Sequence, residues 1–125
     1  MLFFKPKILI IDDDDSISII IKQILVKEFN VEIIMCNNGL EGIKLAINHR
    51  PKLIILDWIM PDYSGLDTLN DLQKDEILKR IPVLMLTGKN LVGEIEEAFI
   101  EGATDYLTKP LIKDKLIKKV NRLIK

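Results

Sequence analysis

The sequence predicts an α/β protein, a doubly wound (βα)5 arrangement whose parallel five-stranded sheet carries helices on both faces. Three observations predict it. Short runs rich in aliphatic residues recur at Lys7–Ile11, Val31–Cys36, Leu53–Leu56, Val83–Leu86 and Asp105–Thr108. Most are continuous rather than alternating, as strands buried on both faces of a parallel sheet require. Between them apolar residues repeat at helical spacing, and a crossover helix is how one parallel strand reaches the next.

The first run, Lys7–Ile11, ends in Asp12-Asp13-Asp14-Asp15. Ser16 is placed to cap a helix. On that helix Ile17, Ile20, Ile21, Ile24 and Leu25 share one face, the face expected to pack on the sheet, with Ile19 and Val26 opposite. After the Val31–Cys36 strand, Asn37-Asn38-Gly39 offers turn and cap chemistry for a helix carrying Leu40, Ile43, Leu45, Ala46 and Ile47. Gly42 inside it costs about 1 kcal/mol relative to alanine, and only a stability consequence is expected from it. Pro51 closes this helix and leads into the Leu53 strand. A short helix follows Gly65, with Leu66, Leu69 and Leu72 on one side. Ile81-Pro82 introduces Val83–Leu86, which ends at Thr87-Gly88. The next helix is expected over Leu91–Glu101, with Gly102 where a left-handed C-terminal residue is wanted. Asp105–Thr108 and Lys109-Pro110 precede a closing helix from about Ile112 to the end, with Leu116, Ile117, Val120, Leu123 and Ile124 apolar.

At 125 residues, one domain is expected over 1–125, large enough to bury roughly two-thirds of its unfolded surface. No repeat, linker or low-complexity tract divides the chain, and no output domain is expected. The net charge of −1 gives no electrostatic reason to expect nucleic acid or an anionic membrane as partner. Cys36 is the only cysteine, so no internal disulfide forms and a reducing compartment is the simpler reading. Leu2-Phe3-Phe4 is too short for a signal peptide, and no stretch approaches the ~20 apolar residues of a membrane span. A cytoplasmic location is expected.

The polar residues at the strand ends carry the chemistry. Leu53-Ile54-Ile55-Leu56 stops abruptly at Asp57, and Trp58-Ile59-Met60-Pro61 turns the chain away. The first run stops at Asp12 and Asp13, the fourth at Thr87, the fifth just before Lys109. In a parallel sheet these ends share one edge, the edge where ligands of open α/β sheets bind. Crowded carboxylates repel unless a cation joins them, and hard oxygen ligands select Mg²⁺. A carboxylate beside Mg²⁺ and a lysine is placed to act as a nucleophile toward phosphorus, the two cations offsetting phosphoryl charge.

Ile8-Leu-Ile-Ile-Asp-Asp13, Leu56-Asp57-Trp-Ile-Met-Pro61, Leu86-Thr87 and Tyr106-Leu-Thr-Lys-Pro110 together resemble the signatures of the response-regulator receiver domain of two-component signalling. The resemblance runs the length of the chain, in order. It implies a flavodoxin-like receiver fold with strand order 2-1-3-4-5. It implies that Asp57 accepts a phosphoryl group from the phosphohistidine of a sensor kinase or phosphotransfer protein. It implies that Asp13 and Asp57 ligate Mg²⁺ directly, that Asp12 helps through water, and that the backbone carbonyl of Ile59 completes the protein share. By the same resemblance Thr87 and Lys109 bind phosphoryl oxygens, Tyr106 turns inward when Thr87 moves, and a downstream protein reads the change. The chain is then a phospho-acceptor switch that assists its own phosphorylation and dephosphorylation rather than an enzyme.

Plainer readings stand beside these. Asp14 and Asp15 simply put negative charge at a helix N-terminus, which the macrodipole favours. Thr87, Lys109 and Tyr106, each taken alone, read as a strand end, a surface lysine and a core tyrosine. Gly88 and Leu111 stand where the family often has alanine and phenylalanine. A different class, the haloacid-dehalogenase type of phosphatase, is resembled by Asp12-x-Asp14-x-Ser16, but that reading leaves Asp57 unexplained and lacks a further acidic motif beyond the lysine. On the first helix, Ile19 is expected to join Pro110 and Leu111 in meeting the kinase, and Val26 is not.

Overall fold

The computed structural model describes residues 5–88 and 92–125. Five parallel strands, β1 (Lys7–Ile11), β2 (Glu32–Cys36), β3 (Leu53–Asp57), β4 (Val83–Thr87) and β5 (Asp105–Thr108), form one sheet in the order β2-β1-β3-β4-β5. The helices are α1 (Asp15–Glu28), α2 (Gly39–His49), α3 (Gly65–Lys74), α4 (Val92–Ile100) and α5 (Lys113–Leu123), with a 3₁₀ turn at Leu78–Arg80. This is the expected (βα)5 fold and strand order. Leu91, the expected start of the fourth helix, lies outside the described residues.

Continuous aliphatic strands have a direct structural cause. Successive side chains of a strand point to opposite faces, and here both faces are covered. Leu9, Ile11, Ile54, Leu56, Val83 and Met85 pack with Ala46, Leu69, Leu72 and Ala98 on one face. Ile8, Ile10, Leu53, Ile55, Leu84 and Leu86 pack with Ile21, Leu25, Leu116 and Val120 on the other. Thus α2, α3 and α4 cover one face and α1 and α5 the other. Ile8 through Ile11 and Leu53 through Leu56 are each 0% exposed, so no alternation survives in either run.

Helix starts follow side-chain capping. Asp14, not Ser16, caps α1, its carboxylate accepting from Ser16 N at 3.0 Å and Ile17 N at 3.3 Å. Asn38 caps α2 through Glu41 N at 2.9 Å, and Ser64 caps α3 through Asp67 N at 3.1 Å. Asp wins over Ser16 in α1 because it lies one residue before the first helical residue and adds negative charge at the dipole's positive end.

Two expectations are corrected. Ile20 is 49% exposed, so the buried face of α1 is narrower than the run of isoleucines implied. Ile21 and Leu25 form it, with Ile17 and Ile24 only partly buried. Gly42 is not merely a weak helix residue. A Cβ there would lie 2.4 Å from Ile11 Cδ1 and 2.8 Å from its Cγ1, so the missing side chain lets α2 sit directly on β1. Gly42→Ala therefore destabilises the protein by about 1–3 kcal/mol through overpacking, although helix propensity alone has the opposite sign. Urea unfolding of the two proteins measures the difference.

Candidate functional site

Strand register brings the strand-end residues together. Ile11 pairs with Leu56 on one side and Cys36 on the other, Asp57 pairs with Leu86, and Thr87 with Thr108. Asp12, Asp57, Thr87 and Lys109 are therefore at the same C-terminal edge. Backbone bonds lock the loops that follow: Trp58 N donates to Leu86 O at 2.8 Å, and Lys109 N to Thr87 O at 2.8 Å. Gly65, the first residue of α3, lies so close beneath the site that a Cβ would fall 2.0 Å from the Asp57 carbonyl oxygen.

Asp12, Asp57 and Thr87 are buried at 0%, 4% and 3% exposure, and Asp13 is exposed. Lys109 Nζ lies 3.1 Å from Asp57 Oδ1 and 3.5 Å from Asp12 Oδ2. Asp14 N donates to Asp12 Oδ1 at 2.9 Å, while Asp12 Oδ2 accepts no hydrogen bond among the described residues. Among the described residues, one cation thus faces two buried carboxylates. Burial first, and the charge of Asp12 second, push the Asp57 carboxyl up to about 7 against the pull of Lys109. Burial likewise raises Asp12, partly offset by the Asp14 amide and Lys109. At Lys109 burial works against the charge, but the two carboxylates outweigh it and hold the ammonium above its usual range.

The donor set fits a hard dication. One oxygen from each of Asp12, Asp13 and Asp57 lies within 4.8 Å of the others. Asp12 Oδ2 accepts no hydrogen bond among the described residues and has the Lys109 ammonium at 3.5 Å, and the exposed Asp13 leaves a side open to the waters that Mg²⁺ keeps. Ile59 follows two residues after Asp57 on the loop that crosses this edge, its side chain 59% exposed and turned from the core. Trp58 is half-buried, packed against the core that covers the α2, α3 and α4 face of the sheet.

Tyr106 sits farther back, paired with Met85 two residues before Thr87. It is half-buried, with the Phe99 ring edge-on at 6.0 Å and Lys119 Nζ 5.3 Å from its ring centre. Beside it Asp105, only 7% exposed, accepts from Lys119 Nζ at 2.9 Å and from Arg122. The sequence pattern marks Asp105 only as a strand start. Its signal is an acid opening a buried strand with cations three residues apart on the next helix.

Two placements differ from the grouping expected on α1. Ile17 and Ile24 border the same core as Leu111, and at 100° per residue Ile20 falls on their side of α1. Ile19 instead lines a cavity with Met35 and Cys36, toward β2. Asp14, part of the Asp12-x-Asp14-x-Ser16 pattern on which the phosphatase reading rests, serves as the α1 cap.

A family model described as the response regulator receiver domain matches residues 8–121. The chain belongs to the response regulator receiver family. The receiver is 36% identical over 120 residues to the DNA-binding dual master transcriptional regulator RpaA of Synechocystis sp., covering 96% of this chain and 49% of that protein. It is 32% identical over 115 residues to the chemotaxis protein CheY1 of Helicobacter pylori, covering 88% and 93% of the two chains. Among solved structures it matches the Vibrio cholerae chemotaxis protein CheY4 with a TM-score of 0.90 at 28% identity, over 96% of this chain and 99% of that one. The chain spans about half the length of the first curated relatives it matches, 49% and 53%. Receivers are switch domains that work with histidine kinases or phosphotransfer proteins and downstream targets. Among the described residues no helix is long and apolar enough to cross a membrane.

A receiver with this charge arrangement has a signed pH dependence. Asp57 binds its proton more tightly folded, near 7, than at its ordinary 3.8. Between those values the native state holds more protons than the unfolded chain, so stability falls as pH rises through that window. Without divalent cations, Asp57→Asn reduces this slope, leaving the part due to Asp12, and raises the melting temperature at pH 8 by several degrees, on the order of 1–2 kcal/mol. Calorimetric scans from pH 4 to pH 8 in chelator give the comparison.

Proposed function

We propose that this receiver accepts a phosphoryl group on Asp57. The observation that carries the reading is the Asp57 carboxylate, buried at the edge of the sheet with Lys109 Nζ 3.1 Å from one oxygen and two further aspartates beside it. An Asp57 oxygen attacks phosphorus on the phosphohistidine of a sensor kinase or phosphotransfer protein. The new P–O bond forms as the P–N bond breaks, and the imidazole leaves. Asp12, Asp13, Asp57 and the Ile59 carbonyl would hold Mg²⁺, with Asp12 acting in part through water. When bound, that ion offsets phosphoryl charge and relieves the repulsion among the carboxylates. Lys109 moves from the bare carboxylate to a phosphoryl oxygen. Thr87, buried at the end of β4, offers its hydroxyl to another.

The same groups act on small phosphodonors and on water, so the domain promotes its own phosphorylation and later dephosphorylation. We further propose that the Thr87 contact draws Tyr106 inward from its place between Phe99 and Lys119, and that a downstream protein reads the changed face. We place the exchange in the cytoplasm, in keeping with a single half-buried Cys36.

Incubation with acetyl phosphate and Mg²⁺, followed by intact mass, tests the acceptor. Wild type gains one phosphoryl mass, and Asp57→Asn gains none. Labelling that persists in Asp57→Asn and disappears in Asp12→Asn contradicts the assignment. The kinase-facing side has its own test. Ile20→Asp slows transfer from a cognate kinase about tenfold or more, as removal of an interface anchor does, and leaves labelling by acetyl phosphate unchanged. Ile19→Asp, on the other side of α1, leaves both rates near wild type.

A further inference from the structure

The acceptor strand passes to α3 through a loop, residues 58–64, and this loop carries the Ile59 carbonyl assigned above to the cation. Two backbone bonds close its base. Trp58 N donates to Leu86 O at 2.8 Å, and Gly65 N donates to Trp58 O at 2.9 Å. Met60, 7% exposed, anchors the near limb in the core. The far limb is harder to hold. Pro61 has no amide hydrogen to donate, and Asp62 takes the left-handed conformation, with φ at +67°. Aspartate tolerates that region better than most residues, but it persists there because the surroundings hold it. Tyr63 comes next, and its amide donates to Pro61 O at 2.7 Å, closing the turn around Asp62.

Tyr63 is gripped from two sides. Its hydroxyl donates to the Asp71 carboxylate on α3. Its ring lies against the first residue of α2, for a Cβ on Gly39 would fall 3.0 Å from Tyr63 Cδ2 and 2.0 Å from Thr68 Oγ1. The missing side chain of Gly39 thus lets α2 close on the ring and on α3 together. The grip adjoins the cation's place, because Asp13, Pro61, Asp62 and Tyr63 share the wall of a cavity of about 510 Å³. Tyr63 lies outside every signature that carries the family resemblance.

We propose that Tyr63 is a positioning residue for the acceptor site: bonded to Asp71, it fixes the 58–64 loop in the conformation that presents the Ile59 carbonyl to Mg²⁺. This role rests on the acceptor reading of Asp57 and goes beyond it. Asp12 and Asp57 are carried by strand ends that the sheet holds in register. The carbonyl comes from irregular backbone, so its place depends on what pins the loop. Mg²⁺ demands near-ideal octahedral geometry, and a ligand that wanders weakens binding. A loop already ordered before the ion arrives loses less freedom on binding, and partners that orient a metal's ligands raise its affinity from one layer out.

The test is an amide NMR titration of the metal-free chain with Mg²⁺, read at the Asp13 and Trp58 amides. Tyr63→Phe keeps the ring and loses the hydroxyl, and its Mg²⁺ dissociation constant rises about three- to tenfold. Asp71→Leu, which removes the acceptor, gives the same loss, and the double variant is no weaker than either single one. Asp71→Asn keeps an acceptor oxygen and stays within about twofold of wild type. In Tyr63→Phe, labelling by acetyl phosphate slows at limiting Mg²⁺ and recovers when Mg²⁺ is saturating. Without metal, amide exchange at Tyr63 and Gly65 quickens in that variant, while Ile54, Ile55 and Leu56 keep wild-type protection. A purely structural bond lowers the melting temperature and leaves the Mg²⁺ affinity unchanged, and that result overturns the proposal. So does an Asp71→Asn loss as large as that of Asp71→Leu, which would make Asp71 a distant charge rather than an acceptor. Labelling that survives Asp57→Asn would instead count against the acceptor reading, whatever Tyr63→Phe does to the Mg²⁺ affinity.

Discussion

The structure turns on one unfavourable contact, the crowding of the Asp12 and Asp57 carboxylates against the Lys109 ammonium. Both are buried, and Lys109 lies 3.1 Å from one and 3.5 Å from the other. Buried charges persist only when paired or joined by a cation. Among the described residues the pairing is short by one positive charge, and the exposed Asp13 marks where the deficit meets solvent. An edge held in that state favours a dication, and with the dication it favours a phosphoryl group, because each addition completes the charge balance of the one before.

The rest of the fold keeps that contact from relaxing. Parallel strands end in register, so the carboxylates are carried by backbone that is bonded on both sides. Helix α3 presses on the Asp57 carbonyl through Gly65, and Lys109 is tied to Thr87 before its side chain begins. Aliphatic side chains fill both faces of the sheet behind the edge. A strand that slipped by one residue would exchange the two cores and move Asp57 off the edge, so core packing and site geometry are set by the same register.

Much of this was legible in the residues. A buried aliphatic run that stops at a carboxylate, as Leu53–Asp57 does, fixes strand type and site together. Less legible were features that depend on a neighbour's position in space. Asp14 outcompetes Ser16 as the α1 cap because of where the helix begins, and both residue types cap well. Ile20 looks like a core residue by spacing, yet α1 buries a stripe centred on Ile21 and Leu25. Gly42 reads as a weak point until Ile11 is seen 2.4 Å from the missing Cβ. Asp105 gains meaning only when Lys119 and Arg122 arrive from α5. The last two are tertiary contacts, invisible to periodicity.

The most direct measurement is the titration of the Asp57 side-chain carboxyl by carbon NMR in metal-free protein, resolved by comparison with Asp57→Asn. The account predicts a midpoint near 7, moving down when Mg²⁺ is added. An ordinary carboxylate midpoint near 4, unmoved by Mg²⁺, would show that Asp12 and Asp57 do not share a charge deficit and would contradict it.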